Sequence, residues 1–222
     1  MTDCYATSSV TGSVNVGGLI GYINTTKVKS CFASGNVAEI PYNTMGGLVA
    51  SSSIGGLIGS VTAISPLKSE IQHSYATGNV TGANGTNTDF HKGTRIGGLI
   101  GQIAPTAGPV SVSFCYATGA VSRIWTSATA PYLTGGLVGT TTNGVFITNS
   151  VCTNYWDKTT TGQANLGGGN ATLAPDNGFT ANGKTTAEMK TASTFLNWDF
   201  STIWSLAAGT NSGYPSLRTV AK

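Results

Sequence analysis

The sequence predicts an all-β fold: a parallel β-helix (β-solenoid) of about four to five rungs, closed by a C-terminal capping segment that contains one short helix. Three observations predict it. A Gly-Gly-Leu block recurs with its first Gly at 17, 55, 97 and 135, at intervals of 38, 42 and 38 residues. A second string recurs ahead of each block. Only 9% of the 222 residues are charged, against about 25% in an ordinary globular chain. Gly, Thr, Ser and Asn stand in their place and suit short strands and many turns.

The blocks read Gly17-Gly18-Leu19-Ile20-Gly21, Gly55-Gly56-Leu57-Ile58-Gly59, Gly97-Gly98-Leu99-Ile100-Gly101 and Gly135-Gly136-Leu137-Val138-Gly139, with a damaged copy at Gly46-Gly47-Leu48-Val49-Ala50. A repeat of this period marks a solenoid, propeller or array. Leu is kept in every copy, so Leu19, Leu57, Leu99 and Leu137 are expected to point into the core. The next residue is equally apolar, and the sequence does not decide between the two. Gly is expected to supply corners with positive φ and room for a neighbouring backbone.

The second string reads Cys4-Tyr5-Ala6-Thr7-Ser8-Ser9-Val10, Cys31-Phe32-Ala33-Ser34-Gly35-Asn36-Val37, Ser74-Tyr75-Ala76-Thr77-Gly78-Asn79-Val80 and Cys115-Tyr116-Ala117-Thr118-Gly119-Ala120-Val121. Small, aromatic, Ala, hydroxyl, turn, Val makes a strand, a corner and the start of another strand. The shortest unit, Cys4 to Ser30, has 27 residues, which three short strands and three corners use up at ~3.3 Å per strand residue. No unit has a sustained helical period. A propeller blade needs tight hairpin turns, and none is seen.

Cys4, Cys31 and Cys115 share one repeat position, and Cys152 closes the array. With no Cys-x-x-Cys spacing, a metal site is not expected. Stacked on adjacent rungs, Cys4 and Cys31 either bridge, which needs Cα atoms ~4.4–6.8 Å apart, or form an inward ladder of small buried residues. Ser74 at the same position favours the ladder. Cys115 and Cys152 pose the same choice.

Residues 1–152 are thus read as repeats and 153–222 as the capping segment. In the latter, Thr185-Thr186-Ala187-Glu188 is a capping box, and Met189, Ala192 and Leu196 are expected on the inner face of its helix. Trp198-Asp199-Phe200 and Ile203-Trp204 read as strand, and Gly213-Tyr214-Pro215 as a turn. Three of the four Trp lie beyond residue 150, as a segment covering a last rung requires.

The repeated strings resemble the GLUG-motif repeats of large bacterial surface proteins. The Gly-Leu-x-Gly core falls at 18–21, 56–59, 98–101 and 136–139, with Tyr-Ala-Thr-Gly-Asn-Val whole at 75–80. Tyr155-Trp156-Asp157 and the Trp198…Pro215 tail also look like the segment that closes such arrays. The pattern is broken at Ser8-Ser9, Ala120 and Ala50. The resemblance implies an extracellular, cell-surface repeat region, used as spacer or for adhesion, sometimes beside a protease domain; no protease motif is present here. Met1-Thr2-Asp3 leads straight into the first repeat without a signal peptide, as in a piece of a longer or mature protein.

Insertions at equivalent positions of a solenoid gather on one face. The segments between Val and Gly-Gly are short in the first unit and long afterwards. They carry Tyr42, Phe90, His91, Arg95, Trp125 and Tyr132, the expected contacts to a surface glycan or protein, with Lys92 and Arg123 beside them. No cofactor and no catalysis are expected. The acidic residues share no repeat position, so paired carboxylates for a carbohydrate-active β-helix enzyme are missing. The Gly-rich blocks are not phosphate loops, because no Gly-Lys-Ser/Thr follows. A net charge of +3 without a dense basic run gives no nucleic-acid footprint. No stretch reaches the ~20 apolar residues of a membrane span. Two alternatives accompany the adhesive reading. An uncapped first rung would let copies assemble end to end into filaments. The hydroxyl column Thr7, Ser34, Thr77, Thr118 suggests ice binding, although it is one column and not a paired face.

Overall fold

The computed structural model describes residues 1–40, 52–82, 94–124, 133–141, 153–164 and 182–220. Its repeats wind into four stacked rungs. The first contains β1 (Tyr5–Ala6), β2 (Val10–Gly12), β3 (Val16–Gly17), β4 (Ile20–Asn24) and β5 (Lys27–Lys29). The second contains β6 (Phe32–Ala33), β7 (Val37–Glu39), β8 (Ser53–Gly55), β9 (Ile58–Thr62) and β10 (Ser69–Gln72). The third contains β11 (Tyr75–Ala76), β12 (Val80–Gly82), β13 (Arg95–Gly97), β14 (Ile100–Ile103) and β15 (Val110–Ser113). The fourth contains β16 (Tyr116–Ala117), β17 (Val121–Arg123), β18 (Thr134–Gly135) and β19 (Val138–Thr141). Equivalent strands pair in parallel with repeat positions in register: Tyr75 lies between Phe32 and Tyr116, Ile58 between Ile20 and Ile100. The expected β-solenoid is therefore the observed fold.

The cross-section differs from the expected three strands. A complete rung has five. The second variable segment holds a strand of its own, and the residues before Gly-Gly form another. The first Gly of each block ends that strand, and the second Gly with the Leu makes the bend between the two.

The glycines of that bend serve close approach and not positive φ. A Cβ on Gly56 would lie 2.1 Å from the Gly98 carbonyl oxygen and 2.8 Å from the Ala76 Cβ. The second Gly and the Ala column thus fit together across the interior. Positive φ falls instead on the residue before the Cys column: Asp3 (53°), Ser30 (53°), His73 (47°) and Phe114 (55°).

One core lies inside the coil. Leu57, Leu99, Leu137 and the residues after them, Ile58, Ile100 and Val138, are all fully buried in it, and Leu19 packs against it partly buried. Both apolar positions of the block therefore face inward. A second core joins Val37, Val80 and Val121 to Val16, Ile54 and Ile96.

Cys31 and Cys115 are buried in the inner core, Cys4 is half-buried at its edge, and all three are free thiols. The column they share is an inward ladder. Ser74 Oγ accepts the Cys31 N–H at 3.2 Å, and Asn154 Oδ1 accepts the Cys115 N–H at 3.1 Å. Cys152 lies outside the described residues, as does the damaged block at 46–50.

A third cluster lies on the outside of the coil. Tyr5, Phe32, Tyr75 and Tyr116 stack with ring centroids 5.1, 4.9 and 4.9 Å apart. Each stacked pair adds roughly 0.5–1.5 kcal/mol beyond its burial. The C-terminal segment continues this sheet with β20 (Tyr155–Asp157) and β21 (Gly183–Lys184). Trp156 turns inward in the Ala column, closing the core over Gly136. The chain then runs back along the ladder. Trp204 packs on Tyr75 and Tyr116 with centroids 6.1 and 6.0 Å away. Tyr116 donates from its hydroxyl to the Pro215 carbonyl at 2.5 Å, and Thr219 Oγ1 donates to Asp3 at 2.9 Å in the first rung. The tail thus covers the last rung and also straps the side of the stack.

Two expectations for the tail need correction. The capping box at Thr185 and Glu188 is present, but helix α1 (Thr186–Met189) is a single turn. Ala192 lies in a 3-10 turn, and Leu196 is 59% exposed while Phe195 is buried in its place. Trp198–Phe200 is not a strand, because the Asp199 carboxylate accepts the N–H groups of Ser201 and Thr202 and turns the chain. Only β22 (Trp204–Ser205) pairs, antiparallel with β23 (Ser216–Leu217).

Candidate functional site

The long segments join the second and third strands of each rung, at one corner of the coil. In the first rung, Ser13, Val14 and Asn15 alone span β2 to β3. The same corner takes 13 residues between Glu39 and Ser53, 12 between Gly82 and Arg95, and 10 between Arg123 and Thr134. Their roots stack because the strands that carry them pair in register, Val80 with Val37 and Val121, Ile96 with Ile54 and Thr134.

Tyr42, Phe90, His91, Trp125 and Tyr132 lie on these segments outside the described residues, as does Lys92. Arg95 is described. It opens β13, half-buried, in register with Ser53 one rung below. Burial lowers the pKa of its guanidinium, although an arginine stays charged at any ordinary pH.

A polar cluster ties the roots together. Ser52 Oγ donates a short hydrogen bond to Glu39 Oε1 and lies 3.0 Å from Thr94 Oγ1, which also donates to Glu39 at 3.4 Å. Arg123 donates from Nη2 to the Thr94 carbonyl at 2.9 Å. Burial lowers the Arg123 pKa, and the Glu39 carboxylate acts in the opposite direction. Three successive rungs thus meet through one carboxylate, two hydroxyls and one guanidinium. Their chemistry is anchoring: each loop end is held to the rung above or below.

The other described carboxylates also have structural partners. Asp157 is buried, accepts the N–H groups of Thr159 and Thr160, and accepts the Tyr214 hydroxyl at 2.7 Å. Glu70 bridges Lys27 and Lys68 at 3.0 and 2.5 Å, which holds its pKa below the ordinary value. Among the described residues no three His, Cys, Asp or Glu gather as metal ligands, and no described helix is long and apolar enough to cross a membrane.

The sequence reading missed Glu39, Ser52 and Thr94. They flank the loops, and only the hydroxyl shared by Ser52 and Thr94, one residue before the paired Ser53 and Arg95, recurs, on two rungs. The one available signal was position: each lies within one or two residues of a strand that the repeat defines.

The family model of the GLUG motif matches residues 50–81, which run from the second Gly-Gly-Leu block through the third Tyr-Ala-Thr-Gly-Asn-Val string. No curated protein and no solved structure matches the chain. With the stacked parallel sheets, the match defines a β-solenoid of GLUG-motif repeats.

Proposed function

We propose that this chain is an extracellular repeat region of a bacterial surface protein, a non-catalytic adhesion scaffold whose stacked loops contact a surface glycan or protein. One observation carries the reading. The first rung turns its loop corner with three residues, so the extra length on the next three rungs is not needed to make the coil. Long loops held on a rigid frame are where binding residues concentrate. The structural partners of the described carboxylates support a non-catalytic role.

The test is to replace 40–53, 83–95 and 124–133 by Ser-Val-Asn, the first rung's three residues in register, singly and together. Each variant is assayed by urea unfolding and for binding to a glycan array and to cells. Single replacements should keep a cooperative unfolding transition and lose binding, and Trp125→Ala or Tyr132→Ala should weaken it. Folded variants that bind as well as the parent chain would overturn the reading.

End-to-end assembly is the second reading. It is motivated by β1, β2, β3 and β4, each the terminal strand of its sheet on the N-terminal side. Two features weigh against it. At the far end, β20 and β21 extend the sheet of β16, and Trp156 lies over Gly136. Ser8 carries a side chain where stacked rungs have Gly. The ice-binding alternative is weakened by Thr118, which is 7% exposed and lies in a groove and not on a flat face.

A further inference from the structure

A groove of about 360 Å³ lies where the strap passes the corner of the last rungs. One wall is the hydroxyl-turn column, Thr77, Asn79, Thr118, Gly119 and Ala120, with Thr160 from the turn after β20. The other is the strap at Asn211, Ser212 and Tyr214. This volume falls in the range of small-molecule sites, roughly 300–1,000 Å³.

The lining is neutral and polar. It contains no carboxylate, amine, guanidinium or imidazole. Several hydrogen-bonding groups in it have no partner among the described residues: the hydroxyls of Thr77, Thr118 and Ser212, the side-chain nitrogen of Asn79 and the side-chain oxygen of Asn211. Their neighbouring groups are engaged. Asn79 Oδ1 accepts the Ala120 N–H at 3.0 Å, and Asn211 Nδ2 donates to Tyr116 Oη at 2.6 Å and to the Pro215 carbonyl at 2.7 Å. Each amide is thereby fixed with its other end left over.

The strap wall is also held in an uncommon conformation. Asn211, Ser212 and Gly213 have φ of 47°, 53° and 84° in succession. Such backbone persists where the surroundings over-determine it, and it clusters at binding sites. Here the Asn211 bonds to Tyr116 and Pro215 supply that constraint. Tyr214 is pinned by Asp157 at 2.7 Å and covered by the Lys190 ammonium 4.9 Å from its ring centroid.

We propose that this groove binds an uncharged polyhydroxylated ligand, one or two residues of a neutral oligosaccharide. Fixed hydroxyls and amides of both donor and acceptor type match sugar hydroxyls, and the absence of charged side chains from the lining disfavours charged ligands, which would lose hydration without a counter-charge. The site is built by residues of the coil and the strap and does not rest on the adhesive reading.

The test uses the whole chain and four neutral probes, maltotriose, cellotriose, xylotriose and chitotriose, with trigalacturonate as the charged comparison. Binding is read by NMR shift perturbation. One neutral probe should shift Thr118, Ala120 and Ser212 resonances. Thr118→Val, which removes a hydroxyl without changing shape, should weaken binding about tenfold. Ala120→Trp, which fills the groove, should abolish it. Urea unfolding confirms that each variant is folded. The variant with all three loops shortened, where folded, should bind the probe as before. No shift with any neutral probe, tighter binding of trigalacturonate, or binding that survives both substitutions in folded protein would overturn the assignment. Loss of binding on loop shortening in folded protein would place the sugar on the loops and overturn it as well.

Discussion

Gly35 stacks so closely on Ser8 that a Cβ at residue 35 would lie 2.0 Å from the Ser8 carbonyl oxygen. The contact recurs up the stack, Gly78 on Gly35 at 1.9 Å and Gly119 on Gly78 at 1.8 Å. No such distance is possible for a real Cβ, so these corners need Gly for space and not for φ. Ser8 is free of the demand because no described rung lies beneath it. Gly78→Ala should therefore destabilise the chain by about 3 kcal/mol or more, since backbone must move. Ser8→Gly should change stability by less than about 1 kcal/mol. Urea midpoints of the two variants decide it, and equal small effects would contradict the stacking geometry. The same pair tests end-to-end assembly. If Ser8 blocks a like rung, Ser8→Gly is the variant that shows multimers in sedimentation velocity, while the parent chain stays monomeric.

The strap makes its own demand. Trp204 is fully buried against Tyr75, Tyr116 and Trp198, the last with ring centroids 4.4 Å apart. Its removal leaves a cavity over the outer ladder, worth about 3–5 kcal/mol for a buried Trp→Ala change. The inner core does not touch it. Trp204→Ala should thus free the tail before the coil opens. Limited proteolysis should cut within 186–220 early and leave a larger fragment holding β1 to β19. Uniform digestion of the whole chain would show that tail and coil unfold as one.

Much of the coil was legible because a solenoid writes its geometry as a period. Even the departures from the repeat follow from place. Asn36 Oδ1 accepts the Asn79 N–H and Asn79 Oδ1 accepts the Ala120 N–H, both at 3.0 Å. At the next level the Thr161 N–H is taken by the Asp157 carbonyl, so an Asn at 120 would have no donor to accept. Ala120 is an end effect, as Ser8 is. The tail was less legible. Its aromatic residues announced burial, but their partner is an outer ladder whose members lie one per rung, far apart in sequence. The groove was hidden for the same reason, since Asn211 and Thr118 meet only through the strap. In the Glu39 cluster only the Ser52 and Thr94 hydroxyls share a repeat position, and on two rungs alone that is no period.

The thiols give a chemical test of the inward column. Cys115 is fully buried, and burial pushes its pKa to about 12; burial raises Cys31 as well. The thiolate is the nucleophile, so neither should react with iodoacetamide in the folded chain at about pH 8. Cys4 is partly exposed at the first rung and should be alkylated ahead of both. Peptide mass spectrometry after a short exposure reads the order. Alkylation of Cys115 at the rate of Cys4 without denaturant would contradict the burial.

His73 links the coil to pH. It holds the left-handed corner at φ 47°, stacks on Phe114 with centroids 5.0 Å apart, and has a buried Nδ1 without a partner among the described residues. Burial lowers its pKa, the Lys29 charge lowers it further, and Asp199 acts in the opposite direction. The unfolded chain then takes up a proton at His73 near the ordinary value of about 6.5, before the folded chain does. The stability linked to this residue is complete above about pH 6.5 and is lost as pH falls through the lower folded value. Glu70 is held below its ordinary range by Lys68 and Lys27, so its own loss belongs to more acid conditions. His73→Asn keeps a residue that tolerates positive φ and removes the titration. Urea midpoints measured from about pH 7.5 down to about pH 5 should fall for the parent chain and fall less for the variant. Parallel curves would show that His73 charges as readily in the coil as in the unfolded chain.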